Sequence, residues 1–97
     1  MQINFVGKNI EITPAIKTYI TDKFSHIEKR FNRITQTHIV LHVENIDQIA
    51  EATLYFDGIE MHAAAKSHDM YQSIDMLVDK LTGQMTKHKE KIIDQHR

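Results

Sequence analysis

Residues 69–91 read DMYQSIDMLVDKLTGQMTKHKEK, and one pattern runs through this whole segment. Its apolar residues recur three, four or seven positions apart, which is the spacing of one face of an α-helix. These residues are Ile74, Leu77, Val78, Leu81, Met85 and Ile92. Asp69 is of the residue types that cap helix N-termini, and Gln72 stands where a capping-box partner belongs. We therefore predict a helix over residues 70–93.

The charged residues of this helix are sorted onto its two flanks. At about 100° per residue, three lysines fall about 100–140° to one side of the apolar stripe, and three carboxylates fall on the other side. The lysines are Lys80, Lys87 and Lys91, and the carboxylates are Asp75, Asp79 and Glu90. Lys89 is the exception, close to the stripe on the acidic side. Like charges along one flank of a helix are often only a solvated face. This helix alone therefore does not decide whether its lysines bind an anion.

Length and composition exclude several classes of protein. The 97 residues are 41% hydrophobic and 26% charged, which predicts one globular domain over residues 1–97. Cysteine is absent, which excludes a disulfide framework, a thiolate nucleophile and a cysteine zinc site. Charged residues interrupt any signal-peptide pattern near the N-terminus, and no run approaches the roughly 20 apolar residues of a membrane span. We expect a cytoplasmic protein without membrane contact.

The net charge of −1 conceals three segments of different charge. Residues 1–43 carry +3, residues 44–79 carry −7 and residues 80–97 carry +3. Two basic ends therefore flank an acidic middle, and local charge is a better guide to partners than the overall charge.

The rest of the chain predicts one more helix and four strands. Thr13-Pro14 is a strong helix start, and an apolar stripe follows it as far as Phe31. Residues 2–6, 37–44, 50–57 and 60–66 alternate in the manner of strands, with a hairpin signal at Asp57-Gly58. The order β-α-β-β-β-α predicts an α+β fold that resembles a double-stranded-RNA-binding domain. In it the first two strands are parallel, an antiparallel meander follows, and both helices cover one face.

The first helix also carries its cations on one side. Lys23, His26 and Arg30 stand on one flank, Lys29 points outward, and Arg33 joins them if the last turn continues. We predict that the basic flanks of the two helices face a common groove that binds RNA phosphates. The predicted contact residues are Lys23, His26, Lys29, Arg30, Arg33, Lys80, Lys87 and Lys91.

Two segments carry a family resemblance. EITPA at residues 11–15 and the run at residues 69–91 resemble the short ribosome hibernation promoting factor family, which is related to the ribosome-associated inhibitor protein Y. The resemblance covers essentially the whole chain, and the end of the sequence at Arg97 suggests the short form. It implies a non-enzymatic, monomeric protein without cofactors that binds the 16S rRNA of the 30S subunit and 70S ribosome in the decoding channel. It also implies blocked translation in stationary phase and, with ribosome modulation factor, inactive 100S dimers.

The resemblance also assigns individual positions. The basic positions of the family match Lys23 and Lys29 on the first helix, and Lys80, Lys87 and Lys91 on the second. Two departures weaken the match, because His26 stands where lysine is usual and Gly83 stands where arginine is expected. Arg30 is a cation in addition to the basic positions that match the family.

The sequence is also compatible with other functions. The main alternative is a generic double-stranded-RNA-binding module without ribosome specificity. A metal site is disfavoured because His38 and His42, four residues apart on a strand, are separated by roughly 13 Å. A small ribonuclease using His26 or His88 lacks a recognisable set of catalytic groups, and His88 is better explained as a packed residue. A protein-interaction module would use the acidic middle or the open face of the sheet.

Overall fold

The computed structural model describes the backbone of residues 1–95 and the side chains of residues 1–90. The elements follow the predicted order. They are β1 (Gln2–Lys8), α1 (Pro14–Arg30), β2 (Ile34–Glu44), β3 (Asp47–Phe56), β4 (Ile59–Ser67) and α2 (Met70–Gln95). Neither helix, within the described residues, combines the length and apolar content needed to cross a membrane.

The four strands form one sheet in the order β1-β2-β3-β4. Strands β1 and β2 are parallel, with Phe5 opposite Ile39. Strands β2, β3 and β4 are antiparallel neighbours, and Ala52 on β3 lies opposite Ile39 on one side and Ala63 on the other. This topology confirms the predicted α+β fold.

The core lies between the sheet and the two helices. Alternate strand residues such as Leu41 and Leu54 are fully buried, and so are Leu77 and Leu81 of α2. A large apolar side chain buried in this way contributes about 1.5–3 kcal/mol. Buried alanines on β3 and β4 leave room for α2 to pack closely over those strands. They are Ala50, Ala52, Ala63 and Ala65.

Local interactions explain where the helices begin. The backbone N–H of Ile16 donates to Thr13 Oγ1 at 3.2 Å, which confirms the predicted N-cap of α1. Asp69 caps α2 by accepting from the Tyr71 N–H at 3.0 Å. The predicted capping box with Gln72 is wrong, because the Asp69 N–H donates instead to Ser67 Oγ at 3.2 Å.

The β3–β4 connection is the predicted hairpin turn. Both Asp57 and Gly58 have positive φ values, 54° and 74°. A two-residue turn of this kind matches the twist of antiparallel strands, and it requires residues that tolerate positive φ at both positions. The turn brings Asp57 beneath the C-terminal end of α1, where it contacts Arg33.

The two helices run parallel to each other. Near their N-termini, the rings of Tyr19 and Tyr71 meet edge to face with centroids 4.9 Å apart. Near the end of α1, Lys89 of α2 lies over the ring of Phe31, with Nζ 5.3 Å from its centroid. Because residue numbers increase in the same direction on both helices, the same rotational flank of each helix points the same way.

Candidate nucleic-acid interface

A groove runs between α1 and α2, with a volume of about 260 Å³. We call it the α1/α2 groove, and its lining residues are Lys23, His26, Ile27, Arg30, Phe31, Val78 and Thr82. The cationic and imidazole groups in this lining come from α1, as predicted for that helix. Helix α2 contributes only an apolar side chain and a hydroxyl to the same lining.

A carboxylate stands at one end of this groove. Asp75 of α2 accepts a hydrogen bond from the Tyr19 hydroxyl at 2.6 Å, and its Oδ1 lies 3.3 Å from Lys23 Nζ. The Tyr19 hydrogen bond, together with Lys23, lowers the pKa of Asp75. Asp75 in turn raises the pKa of Lys23 and of Tyr19. Lys23 is therefore held charged, and an anionic ligand at Lys23 would have to compete with Asp75.

Lys80 and Lys87 lie on the opposite flank of α2, so the predicted common groove is wrong for these two lysines. Lys80 Nζ donates to the Ala64 backbone oxygen of β4 at 2.6 Å. Lys87 is exposed and lines a pocket with Ile59 and Met61 of β4. Both lysines therefore face the β4 edge of the sheet and point away from α1.

The parallel course of the helices explains this outcome. On α1 and on α2 the predicted cations occupy the same rotational side of the apolar stripe. Two parallel helices that lie side by side present opposite rotational sides to each other. Cations on matching sides therefore cannot meet in the space between them, and the flank of α2 that faces α1 is the acidic one with Asp75.

The remaining predicted contacts have different surroundings. Lys29 is exposed on α1. Arg33 is also exposed, with φ at 74°, and its Nη1 lies 3.5 Å from Asp57 Oδ1. The side chain of Lys91 lies outside the described residues. The RNA-binding role of all eight predicted residues remains a prediction.

Positive charge from two helices does converge at the C-terminal end of α1. The Arg30 guanidinium carbon and Lys89 Nζ lie 5.0 and 5.3 Å from the centroid of the Phe31 ring. Lys89 also lines a pocket with Arg33 and Asn32. We call Arg30, Arg33 and Lys89 the cationic cluster. Because Phe31 also lines the α1/α2 groove, the groove and the cluster form one continuous surface.

Lys89 was absent from the predicted contact residues. The sequence signal that could identify it is its position near the apolar stripe, on the acidic side of α2. That side faces α1 once the two helices are recognised as parallel. Lys89, the cation nearest the apolar stripe of α2, is therefore the one that meets the cations of α1.

Among the described ion pairs, Asp57 is the carboxylate that contacts the cationic cluster. Asp57 lies 3.5 Å from Arg33 Nη1 and 3.6 Å from His88 Nε2. His88 packs edge to face on Phe56, with centroids 5.7 Å apart, which confirms that it is a packed residue. Among ion pairs between described residues, none involves Arg30 or Lys89. These two cations are the strongest candidates for phosphate contacts.

Two histidines of the open sheet face form cross-strand contacts. His38 Nδ1 lies 3.3 Å from Asn4 Nδ2, and His62 Nδ1 lies 2.9 Å from Thr53 Oγ1. No group of three or more metal-ligating side chains that could hold an ion occurs in the part of the chain that the structure describes.

Two comparisons with relatives support one assignment. The family model described as Sigma 54 modulation protein / S30EA ribosomal protein matches residues 3–93. A Klebsiella oxytoca protein named ribosome hibernation promoting factor is 53% identical over 92 residues, which are 95% of this chain and 97% of that protein. The protein of the same name from Escherichia coli K12 is 48% identical over the same shares of both chains.

The fold has a close match among solved structures. The crystal structure of the Thermus thermophilus Protein Y N-terminal domain superposes with a TM-score of 0.83 at 28% identity, covering 91% of this chain and 99% of that chain. These findings confirm the resemblance seen in residues 11–15 and 69–91. The chain belongs to the Sigma 54 modulation protein / S30EA ribosomal protein family, whose members include the ribosome hibernation promoting factors.

Proposed function

We propose that this protein is a ribosome hibernation factor that binds ribosomal RNA through the α1/α2 groove and the cationic cluster. The observation that carries the proposal is the 53% identity, over 95% of the chain, to a protein named ribosome hibernation promoting factor. Its family consists of ribosome-binding proteins without enzymatic activity, so the proposed mechanism is binding and not catalysis. A ribosome-associated role also implies a cytoplasmic location.

The charge arrangement supports RNA phosphates as the ligand. Arg30 and Lys89 both lie beside the Phe31 ring, and neither forms an ion pair with a described residue. A phosphate bound at these cations neutralises their charge and releases counterions from the RNA. Phosphate contacts orient a protein on RNA but carry little sequence information, so specificity comes from the shape of the binding site.

We further propose that the binding site is the decoding channel of the small subunit, against 16S rRNA. The bulk of the protein there excludes messenger RNA and the A- and P-site transfer RNAs, which blocks translation without chemistry. The protein acts as a monomer in this step, and together with ribosome modulation factor it promotes inactive 100S dimers. These details follow from the resemblance of residues 11–15 and 69–91 to the hibernation factors.

A charge-reversal experiment tests the proposed surface. The double variant Arg30→Glu/Lys89→Glu removes two phosphate contacts, and we expect 70S binding to weaken by at least tenfold in sucrose-gradient co-sedimentation. The slope of log affinity against log salt becomes shallower by about two, since each phosphate contact contributes about one. The control is Lys8→Glu/Lys17→Glu, which changes the net charge equally at exposed positions outside the cluster.

The outcomes separate this proposal from its alternatives. Equal losses in the two double variants would reject the cationic cluster as the binding surface. Retained binding to free RNA duplexes, combined with no association of the native protein with 70S ribosomes, would favour a generic double-stranded-RNA-binding module.

A further inference from the structure

Two carboxylates lie at opposite ends of the surface that the α1/α2 groove and the cationic cluster form. Asp75 Oδ1 lies 3.3 Å from Lys23 Nζ, and Asp57 Oδ1 lies 3.5 Å from Arg33 Nη1. Asp57 Oδ2 also lies 3.6 Å from Nε2 of His88, a residue more than three turns after Asp75 on α2. At ~1.5 Å per residue, the two carboxylates are therefore separated by about 20 Å along this helix.

Each of these carboxylates is held by groups other than its cation. Asp75 accepts the hydrogen bond from the Tyr19 hydroxyl at 2.6 Å, and the Tyr19 ring packs edge to face against Tyr71. Asp57 is the first residue of the two-residue β3–β4 turn, and its side chain is only 21% exposed. The carboxylates therefore keep their positions when the neighbouring cation turns toward another anion.

The two carboxylates make this surface uneven for a chain of phosphates. Arg30 and Lys89, beside the Phe31 ring, form none of the ion pairs seen between described residues. A phosphate that contacts Lys23 or Arg33 instead comes close to a fixed carboxylate, which repels it. The attraction for phosphate is therefore concentrated around Phe31.

A regular duplex and a folded RNA present their phosphates differently to such a surface. A duplex carries one phosphate per roughly 3.4 Å of axis on each strand, so a backbone that follows α2 has about six phosphates in 20 Å. Such a backbone reaches both carboxylates, and it gains little from cations that already have a counter-ion. Folded RNA can bring a few phosphates from separate strands to one point, away from the carboxylates.

We propose that Asp57 and Asp75 are specificity-determining residues, which disfavour continuous phosphate backbones and leave the area around Phe31 for a compact group of phosphates. The selectivity rests on the proposed function, because it acts at the same RNA-binding surface. It gives a reason for carboxylates among the cations of a surface that binds a polyanion, where affinity alone favours their absence. It concerns the α1 side only, and RNA contacts by Lys80 and Lys87 on the β4 side are compatible with it.

Binding of the double variant Asp57→Asn/Asp75→Asn to two RNA targets tests the proposal. Asparagine tolerates the positive φ at position 57 and still accepts a hydrogen bond from Tyr19 at position 75. We expect the affinity for a mixed-sequence RNA duplex of about 20 base pairs to rise at least about tenfold. Its salt slope becomes steeper by about two, since Lys23 and Arg33 each gain a phosphate. The affinity for 70S ribosomes in the same buffer rises by less than about threefold.

The matched control is Glu44→Gln/Glu51→Gln, which also removes two negative charges. Glu44 is the last residue of β2, and Glu51 lies between two buried alanines of β3, so its side chain faces the open side of the sheet. We expect the control to change both affinities by the same factor, less than about threefold. The single variants Asp57→Asn and Asp75→Asn each give part of the duplex gain, and they replace the double variant if it fails to fold.

Three results would overturn this proposal. One is an equal rise in the affinities for the duplex and for 70S ribosomes. Another is a duplex gain no larger than that of the control, which would assign the gain to net charge. The third is an unchanged salt slope on the duplex, which would mean that the freed cations gain no phosphate. Failure of the native protein to bind 70S ribosomes is a separate result, which would overturn the proposed function and this selectivity with it.

Discussion

The two flanks of α2 differ in what surrounds their charges. On the α1 side, cations from both helices surround Phe31, and Asp75 holds Lys23 at 3.3 Å. On the β4 side, lysines stand above an apolar floor, and Lys80 is bonded to a strand carbonyl. The α1 side therefore combines cations with a paired carboxylate, whereas the β4 side combines cations with exposed apolar side chains.

This comparison shows that cations on one helix need not form one surface. Lys80, Lys87 and Lys89 lie within ten residues of each other, yet Lys89 faces α1 whereas the other two face β4. The helical period decides which residues share a flank. The direction of the neighbouring helix decides what that flank faces. Three variants, used in four measurements, test how separate the two flanks are.

The largest effect, on stability, is expected from Leu81→Ala. Leu81 is fully buried on the face of α2 that packs on the sheet, between the two flanks. Removing its side chain leaves a cavity and lowers the free energy of unfolding by about 3 kcal/mol. Urea denaturation measures this loss. The control is Thr82→Ala, a half-buried position that lines the α1/α2 groove and should change stability by less than about 1 kcal/mol. A loss below about 1 kcal/mol for Leu81→Ala would contradict the packing of α2 described above.

A gain in RNA affinity is expected from Asp75→Asn. The substitution frees Lys23 for a phosphate, and the affinity for ribosomal RNA at low salt should rise about three- to tenfold. Filter binding or fluorescence anisotropy measures the change. Asp79→Asn, on the exposed outer face of α2, changes the net charge equally. If both variants gain the same affinity, net charge is responsible and not the release of Lys23.

A smaller gain, in stability, is expected from Gly83→Ala. Gly83 is exposed on the outer face of α2, and a Cβ there would meet no atom within 4 Å. Alanine should raise the free energy of unfolding by about 0.5–1 kcal/mol while leaving both flanks unchanged. Gly58→Ala is the matched control, because Gly58 has φ of +74° and the same substitution should be destabilising there. A change in RNA affinity in Gly83→Ala would show that the outer face of α2 also takes part in binding.

The smallest effect is the contribution of Asp75 to stability at low pH. The Tyr19 hydrogen bond and Lys23 hold the pKa of Asp75 below its usual value in the folded protein. Its contribution is therefore complete above the unfolded pKa of about 4, and it is lost as pH falls through the folded pKa. Thermal unfolding between pH 7 and pH 2 should show a smaller loss on acidification for Asp75→Asn than for the native protein. Identical losses would mean that Asp75 adds nothing to the pH dependence.

Much of the fold follows from local patterns in the sequence. The Thr13-Pro14 start, the Asp57-Gly58 turn and the alternation of the strands depend on neighbouring residues, and each was predicted from them. The beginning of β2 was not, because Ile34 pairs with Phe56 across an irregularity in the strand register. That pairing depends on tertiary contacts that alternation alone does not reveal.

The site was harder to predict than the fold. The cations of α1 were identified, because helical spacing is sufficient to group them. The Lys23–Asp75 pair and the Lys89–Phe31 contact join residues more than fifty positions apart, and they require the relative direction of the helices. The predicted topology contained that direction, since the first and fourth strands of such a sheet are parallel and each helix turns back over the strand before it.

The end of α1 at Arg30 links the proposed RNA contacts to helix stability. The carbonyl groups of its last turn carry the negative end of the helix macrodipole, and Lys29 and Arg30 stand in that turn. Each cation there stabilises the helix by about 0.3–1 kcal/mol at low ionic strength. Loss of these charges would therefore weaken the helix terminus in addition to the proposed RNA contacts.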